Sequence, residues 1–211
     1  MLKDRIARFF WGQFRKPSGW FGRVIGNRMA EGNVYDAQWT VSLLDIQPEH
    51  HILEIGFGPG VSTRIAAEKA TKGFVAGIDH SETMVQVART RNIETIQAGQ
   101  MELKQGDVAS LSYPDETFDK AFSIHSIYFW AKPIECLQEL RRVLKPGGLL
   151  AITIQPKDKW SELQQRETSL RTLYFSADLV TMFDAAGFRE VRIEVSPEPE
   201  QFSGECVLGI K

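Results

Sequence analysis

From residue 50 onward the chain alternates between two apolar patterns. Short runs rich in β-branched residues predict buried strands, and longer stretches with apolar positions every three or four residues predict helices. His51-Ile52-Leu53-Glu54-Ile55 is the first run, and the turn Gly56-Phe57-Gly58-Pro59-Gly60 separates it from a helical stretch running from Val61 to Ala70. Gly73 to Ile78 predicts a second strand, and Ser81 is placed to cap a helix whose apolar positions include Met84, Val85, Val87 and Ala88. Met101 to Lys104 gives a short third strand and Phe118 to Ser126 a fourth. After Pro133, residues Ile134, Leu137, Leu140 and Leu144 recur at helical spacing. That helix stops at Lys145-Pro146-Gly147-Gly148, before a fifth strand from Leu149 to Ile154. Arg141 and Arg142 read as its solvent face. A capped helix from Ser176 to Ala186 ends at Gly187. Phe188 to Val195 and Phe202 to Ile210 read as two strands joined by the loop Pro197-Glu198-Pro199-Glu200, too short for a parallel crossover, so the pair is antiparallel.

Regular alternation of this kind predicts a single-domain, doubly wound α/β fold of Rossmann-like type, its sheet mostly parallel with an antiparallel C-terminal strand. The first residues follow a different pattern. Leu2, Ile6, Phe9, Phe10 and Phe14 share one helical face, with Lys3, Arg5, Arg8 and Arg15 largely elsewhere, until Pro17-Ser18-Gly19-Trp20-Phe21-Gly22 interrupts. Residues 1–35 therefore read as a helical segment ahead of a domain over 36–211.

Composition narrows the class without choosing a function. At 211 residues, with 43 % hydrophobic and 25 % charged, the chain has enough apolar mass for one core and too little for a membrane bundle. The net charge of −2 offers no global attraction to polyanions, although seven Lys and Arg against Asp4 make residues 1–30 locally basic. A basic amphipathic segment of that kind can contact an anionic membrane. Two cysteines, Cys136 and Cys206, make no disulfide framework and read as free thiols of a reducing, cytoplasmic setting. His50 and His51 are adjacent, and His80 and His125 have no His or Cys at ligand spacing, so no metal site is expected.

A glycine turn between the first parallel strand and its helix sets backbone N–H groups at the carboxyl edge of the sheet, where nucleotide-like ligands bind. The dinucleotide pattern G-x-G-x-x-G fails in both registers, at Val61 and at Thr63. What stands instead is Glu54 two places ahead of Gly56, Gly58 and Gly60, with Asp79 ending the second strand and Gly106-Asp107 following the third. The ordered segments LEIGFGPG, GIDHSETM, GDV and LKPGGLLAIT resemble the class I S-adenosylmethionine-dependent methyltransferases, most of all the small-molecule branch that includes the ubiquinone and menaquinone biosynthesis enzymes.

That resemblance implies S-adenosylmethionine as cofactor and gives each motif a role. Gly56, Gly58 and Gly60 would allow close backbone approach, and Glu54 would orient the loop or the ligand's ammonium. Asp79 would accept hydrogen bonds from the ribose hydroxyls, with His80 beside it, while Asp107 and Val108 would meet the adenine edge and Met84 its face. Purely structural roles stay open for the same residues: a tight turn, a helix cap and a turn closure. Beyond the fourth strand, His125 would lie beside the sulfonium, as a general base for a hydroxyl acceptor or as pocket lining. Tyr128 and Trp130 would wall the acceptor or pack under the next helix.

The absence of an Asn/Asp-Pro-Pro-Tyr motif and of a Pro-Cys nucleophile argues against a nucleic-acid acceptor. The resemblance also implies that the N-terminal segment covers the acceptor pocket as a lid, with Trp20 and Phe21 in contact with substrate; membrane and oligomer contacts are the other roles. The expectation is methyl transfer to a small aromatic or lipophilic acceptor. The alternatives are a non-catalytic S-adenosylmethionine-binding module and a Rossmann NAD(P)-dependent oxidoreductase.

Overall fold

A computed structural model describes residues 34–161 and 171–211. Residues 1–33 of the predicted N-terminal segment, Trp20 and Phe21 among them, lie outside these residues. The elements follow in the order α1 (Val34–Leu43), β1 (His51–Ile55), α2 (Val61–Lys69), β2 (Phe74–Asp79), α3 (Glu82–Arg91), α4 (Ile93–Gln97) and β3 (Met101–Gln105). They continue with β4 (Phe118–Ile124), α5 (Pro133–Val143), β5 (Leu144–Ile154), α6 (Ser176–Ala185), β6 (Arg189–Val195) and β7 (Glu205–Ile210). One seven-stranded sheet runs β3-β2-β1-β4-β5-β7-β6. Its first five strands are mutually parallel, and β7 lies antiparallel to both β5 and β6. The predicted fold class is the observed one.

Both faces of the central strands are covered, which is why those strands read as nearly unbroken apolar runs. The period of two still sorts their side chains. Ile52 and Val75 pack with Trp39, Ala66, Ala67 and Val85 on the face of α1, α2 and α3. Leu53 and Ala76 pack with Leu137, Leu140, Leu179 and Phe183 on the face of α5 and α6. Chain connections leave β1 toward β2 on one side, and β4 sits on the other. The crevice above the carboxyl ends of β1 and β4 is therefore the switch point at which ligands bind in folds of this type.

Several boundaries move for identifiable reasons. Helix α1 spans the 35/36 division, and nothing in the local pattern announced it. Strand β4 stops at Ile124 because His125 takes φ +56°, a left-handed conformation that cannot continue a strand. Strand β5 begins at Leu144 rather than Leu149: Leu144 pairs with Phe118, the ladder resumes at Lys120 and Leu149, and the turn residues bulge out between them. Lys145 bonds both oxygens of Asp119 at 2.8 Å beside that bulge. Ser81 caps α3 as predicted, accepting the Met84 N–H at 3.3 Å. For α6 the capping carboxylate is Asp178, which accepts from the Phe175 N–H at 2.8 Å, while Ser176 is already helical.

Arg142 corrects the solvent-face reading. Its guanidinium donates to Glu139, to Asp115 and to the carbonyls of Tyr113 and Leu111, fastening the loop after β3 onto α5. A lysine keeps the charge but cannot span this set of acceptors. Arg142→Lys is expected to lower unfolding free energy by about 1–2 kcal/mol in denaturant titration, the scale of one or two lost charge-assisted hydrogen bonds.

Candidate active site

The switch-point crevice opens into a cavity of about 630 Å³. Residues that follow four different strands reach it: Gly56 to Pro59 after β1, Asp79 and His80 at the end of β2, Gly106 to Ala109 after β3, and His125 and Ser126 after β4. The loop after β1 is held at its base, where the Gly56 N–H donates to the Ile78 carbonyl at 2.7 Å. Gly56 has φ +72°, and a Cβ there would stand 2.4 Å from that of Ser126, so only glycine lets the β1 and β4 ends close together. At Gly58 a Cβ would meet nothing within 4 Å, because this part of the loop faces the cavity.

Two carboxylates organise the loop end. Asp79 accepts the Gly58 N–H on Oδ2 and the Ser81 N–H on Oδ1, each at 2.8 Å, so it braces the glycine loop and the start of α3 together. Each oxygen keeps a further acceptor position. Burial raises its pKa against the lowering effect of those two N–H groups. Glu54 is 1 % exposed; its Oε1 accepts from Ser62 at 2.5 Å, and Oε2 has only the buried Thr63 hydroxyl nearby, too far for a well-formed hydrogen bond yet close enough to favour the ionised form. Burial, aided by the nearby charge of Asp79, raises its pKa to about 7. A buried carboxylate oxygen that is incompletely satisfied in a cavity wall can take a ligand's N–H or positive charge.

Farther along the cavity the lining turns aromatic. Tyr128 is buried, donates to the Gln155 carbonyl at 3.1 Å and accepts the Gln155 N–H at 2.7 Å; burial holds its hydroxyl well above the ordinary phenol range. Phe129, Trp130, Trp160 and Phe202 complete this region, with the Arg171 guanidinium 4.2 Å from the centre of the Trp160 ring. His125 stacks on Tyr128 at an interplanar angle of 11° and meets Phe202 edge-on. Its Nε2 lies 3.0 Å from Oδ2 of Asp36, a buried residue in the first turn of α1.

The cavity thus gathers Glu54, Gly56, Gly58, Asp79, His80, Met84, Asp107, Val108, His125, Tyr128 and Trp130. Gly60 is placed differently: it does not line the cavity, and a Cβ there would collide with Ala88 and Asn92 at 2.7 Å, so its role is to pack the start of α2 against α3. Asp107 also closes a local turn by accepting the Ala109 N–H at 2.9 Å. Asp36, Gln155, Trp160, Arg171 and Phe202 went unrecognised in the sequence. None belongs to a local motif, and they meet only because α1 and the segments after β5 and β6 fold over the same crevice.

The fit to S-adenosylmethionine is direct. Three carboxylates, Glu54, Asp79 and Asp107, line the loop end, and the glycine loop itself carries no Lys or Arg. This is the reverse of a phosphate cradle and suits a ligand bearing a sulfonium, an ammonium and a diol. Among the described residues no group of three His, Cys, Asp or Glu is arranged to hold a metal, and no helix is long and apolar enough to cross a membrane.

A glutamate whose folded pKa is about 7 holds a proton that the unfolded chain, near 4.5, has already released. Stability of the ligand-free protein is therefore greatest below about pH 4.5 with respect to this group and declines as pH rises to about 7. Glu54→Gln removes the titration. Its unfolding free energy relative to wild type is expected to rise by about 3 kcal/mol between acidic and mildly alkaline pH, measured by paired denaturant titrations.

Comparison with known proteins identifies the family. Residues 53–152 match the family described as a methyltransferase domain. The chain is 30 % identical over 178 residues to an uncharacterized methyltransferase, YdaC, of Bacillus subtilis, covering 83 % of this chain and 93 % of that protein. It is 34 % identical over 136 residues to a demethylmenaquinone methyltransferase of Symbiobacterium thermophilum, covering 61 % of this chain and 54 % of the relative, so it spans about half of that protein's length. A solved S-adenosylmethionine-dependent methyltransferase from Aquifex aeolicus shares the fold with a TM-score of 0.74 at 21 % identity, over 89 % of this chain and 97 % of the other. The oxidoreductase alternative has no support from these relatives. With the acidic glycine-loop site at the β1/β4 crevice, the chain belongs to the S-adenosylmethionine-dependent methyltransferases.

Proposed function

We propose that this enzyme methylates a small aromatic or lipophilic acceptor bound in the aromatic part of the cavity. The observation that carries the proposal is continuity: one cavity joins the acidic, glycine-lined end to Tyr128, Phe129, Trp130, Trp160 and Phe202. S-adenosylmethionine, when bound, supplies a methyl group on a positively charged sulfur, already activated toward a nucleophile. The work of the chain is then to hold the two partners together and keep water away. Glu54 and Asp79 would receive the polar and cationic parts of the cofactor, Asp107 and Val108 would hold its base, and Met84, buried to 1 % exposure, would add an apolar contact to it. Flat aromatic walls favour a flat or greasy acceptor over a strongly hydrated one. The similarity to a demethylmenaquinone methyltransferase supports the same acceptor class.

Incubating the protein with methyl-labelled cofactor and a panel of phenols, hydroquinones, aliphatic amines and nucleic acids tests the assignment. Label is expected on the aromatic acceptors; transfer confined to hydrated amines or nucleic acid would contradict it. At the cofactor end, Asp79→Ala removes acceptors for ligand hydroxyls and also releases the Gly58 N–H. Calorimetry is expected to show S-adenosylmethionine bound more weakly by about 2–3 kcal/mol, roughly 30- to 200-fold.

A further inference from the structure

Helix α1 delivers Asp36 to a ring nitrogen of His125 across 89 residues of sequence. Several independent features fix that ring. Its backbone takes φ +56°, its N–H donates to the Thr153 carbonyl at 3.0 Å, one face lies along Tyr128, and Phe202 meets it edge-on. Histidine enters the left-handed region more readily than most residues, and here that conformation ends β4 and turns the side chain out of the strand. Asp36 is 6 % exposed, and both residues line the cavity. With Nε2 engaged by the carboxylate, Nδ1 makes no hydrogen bond among the described residues.

We infer that Asp36 and His125 form a proton-accepting dyad, and that the acceptor carries an ionisable hydroxyl on an aromatic ring, as a phenol or hydroquinone does. The inference rests on the methyl-transfer reading above and specifies its substrate. Asp36 accepts the Nε2 proton, which leaves the lone pair on Nδ1 and steadies the imidazolium formed when that nitrogen takes the acceptor's proton. The acceptor's oxygen, or the ring carbon it activates, forms the new bond to the methyl carbon while the methyl–sulfur bond breaks and its electron pair remains on sulfur. The hydroxyl proton ends on Nδ1 when oxygen is methylated. When carbon is methylated, Nδ1 takes the hydroxyl proton first and returns it to the oxygen after transfer, and the ring proton lost from the methylated carbon on rearomatisation then ends on Nδ1. A phenol ionises near pH 10, within reach of an imidazole, whereas an aliphatic alcohol does not and a neutral amine needs no base before attack. His125 is thus assigned as the catalytic residue and Asp36 as a positioning residue.

The test compares wild type, His125→Ala, Asp36→Asn and Asp36→Glu on two phenols, one neutral at the assay pH and one carrying nitro groups that leave it already ionised. With the neutral phenol, kcat is expected to fall about 10²- to 10⁴-fold in His125→Ala, the usual range for a lost general base. Asp36→Asn is expected to lose kcat without a matching rise in the KM for S-adenosylmethionine, and Asp36→Glu to recover part of it. With the ionised phenol the His125→Ala defect is expected to shrink to within tenfold. Nitrogen-15 NMR of the ligand-free protein supplies a readout apart from turnover: the neutral ring of His125 carries its proton on Nε2 in wild type and becomes a tautomer mixture in Asp36→Asn. Equal losses on both phenols, or unchanged kcat in the variants, would overturn the dyad while leaving methyl transfer intact. A wild-type ring protonated on Nδ1 would do the same. Failure of wild type to methylate either phenol, with label appearing on another class, would instead remove the aromatic-acceptor reading on which the dyad stands.

Discussion

The carboxylate of Asp79 is the point on which the site depends. It ends β2, yet it holds the N–H of Gly58 from the loop after β1 and the N–H of Ser81 at the start of α3. Backbone N–H groups in that position would otherwise be unpaired at a partly dry cavity wall. Two strands, a loop and a helix N-terminus are therefore registered against one another by a single side chain. Because both carboxylate oxygens keep acceptor capacity, the group that builds the wall is also available to a ligand. The same hydrogen bonds that fix the orientation of Asp79 keep it in the cavity wall.

Electrostatics divides the cavity into two chemically distinct ends. At the loop end, burial works against ionisation of Glu54 and Asp79, and a cationic ligand offsets that cost by restoring a partner to each charge. At the other end, Tyr128 is held neutral and internally bonded to Gln155, so it presents a ring face rather than a polar group. A polar cofactor and an apolar acceptor can then share one crevice without competing for the same walls. Phe202 contributes although it lies outside β7, because the strand begins only at Glu205 and the preceding residues are free to turn the ring inward.

Helix α1 closes this arrangement by two side-chain contacts with the sheet. Thr40 meets Thr153 of β5 hydroxyl to hydroxyl at 2.7 Å, and Asp36 one turn earlier meets His125. Residues four apart share a helix face, so docking one positions the other. The buried Thr pair fixes the rotation of α1 about its axis, and that rotation brings a carboxylate, rather than a neighbouring Ala37 or Tyr35, to the imidazole.

Much of this architecture was legible in the linear pattern. Short, nearly unbroken apolar runs, a glycine turn after the first of them and acidic residues at successive strand ends point to a parallel α/β sheet with a cation-favouring crevice, because those signals are local and each is set by backbone geometry. Ser81 and Pro133 mark their helix starts for the same reason. The bulge at 145–148, the Asp178 cap and the many-partner role of Arg142 were not legible, since they depend on what lies opposite in space. The aromatic end of the cavity was legible only in part. His125, Tyr128 and Trp130 were readable there because they follow β4 directly, whereas Asp36, Arg171 and Phe202 come from separated stretches that no spacing in the chain relates to them. The sequence by itself determined the fold and the cofactor's end of the cavity, where function follows from short motifs on adjacent strands. Only tertiary packing of α1 and the C-terminal segments over the crevice decided which further side chains line the aromatic end of the cavity, because those contacts are made between residues whose local sequence has no reason to anticipate them.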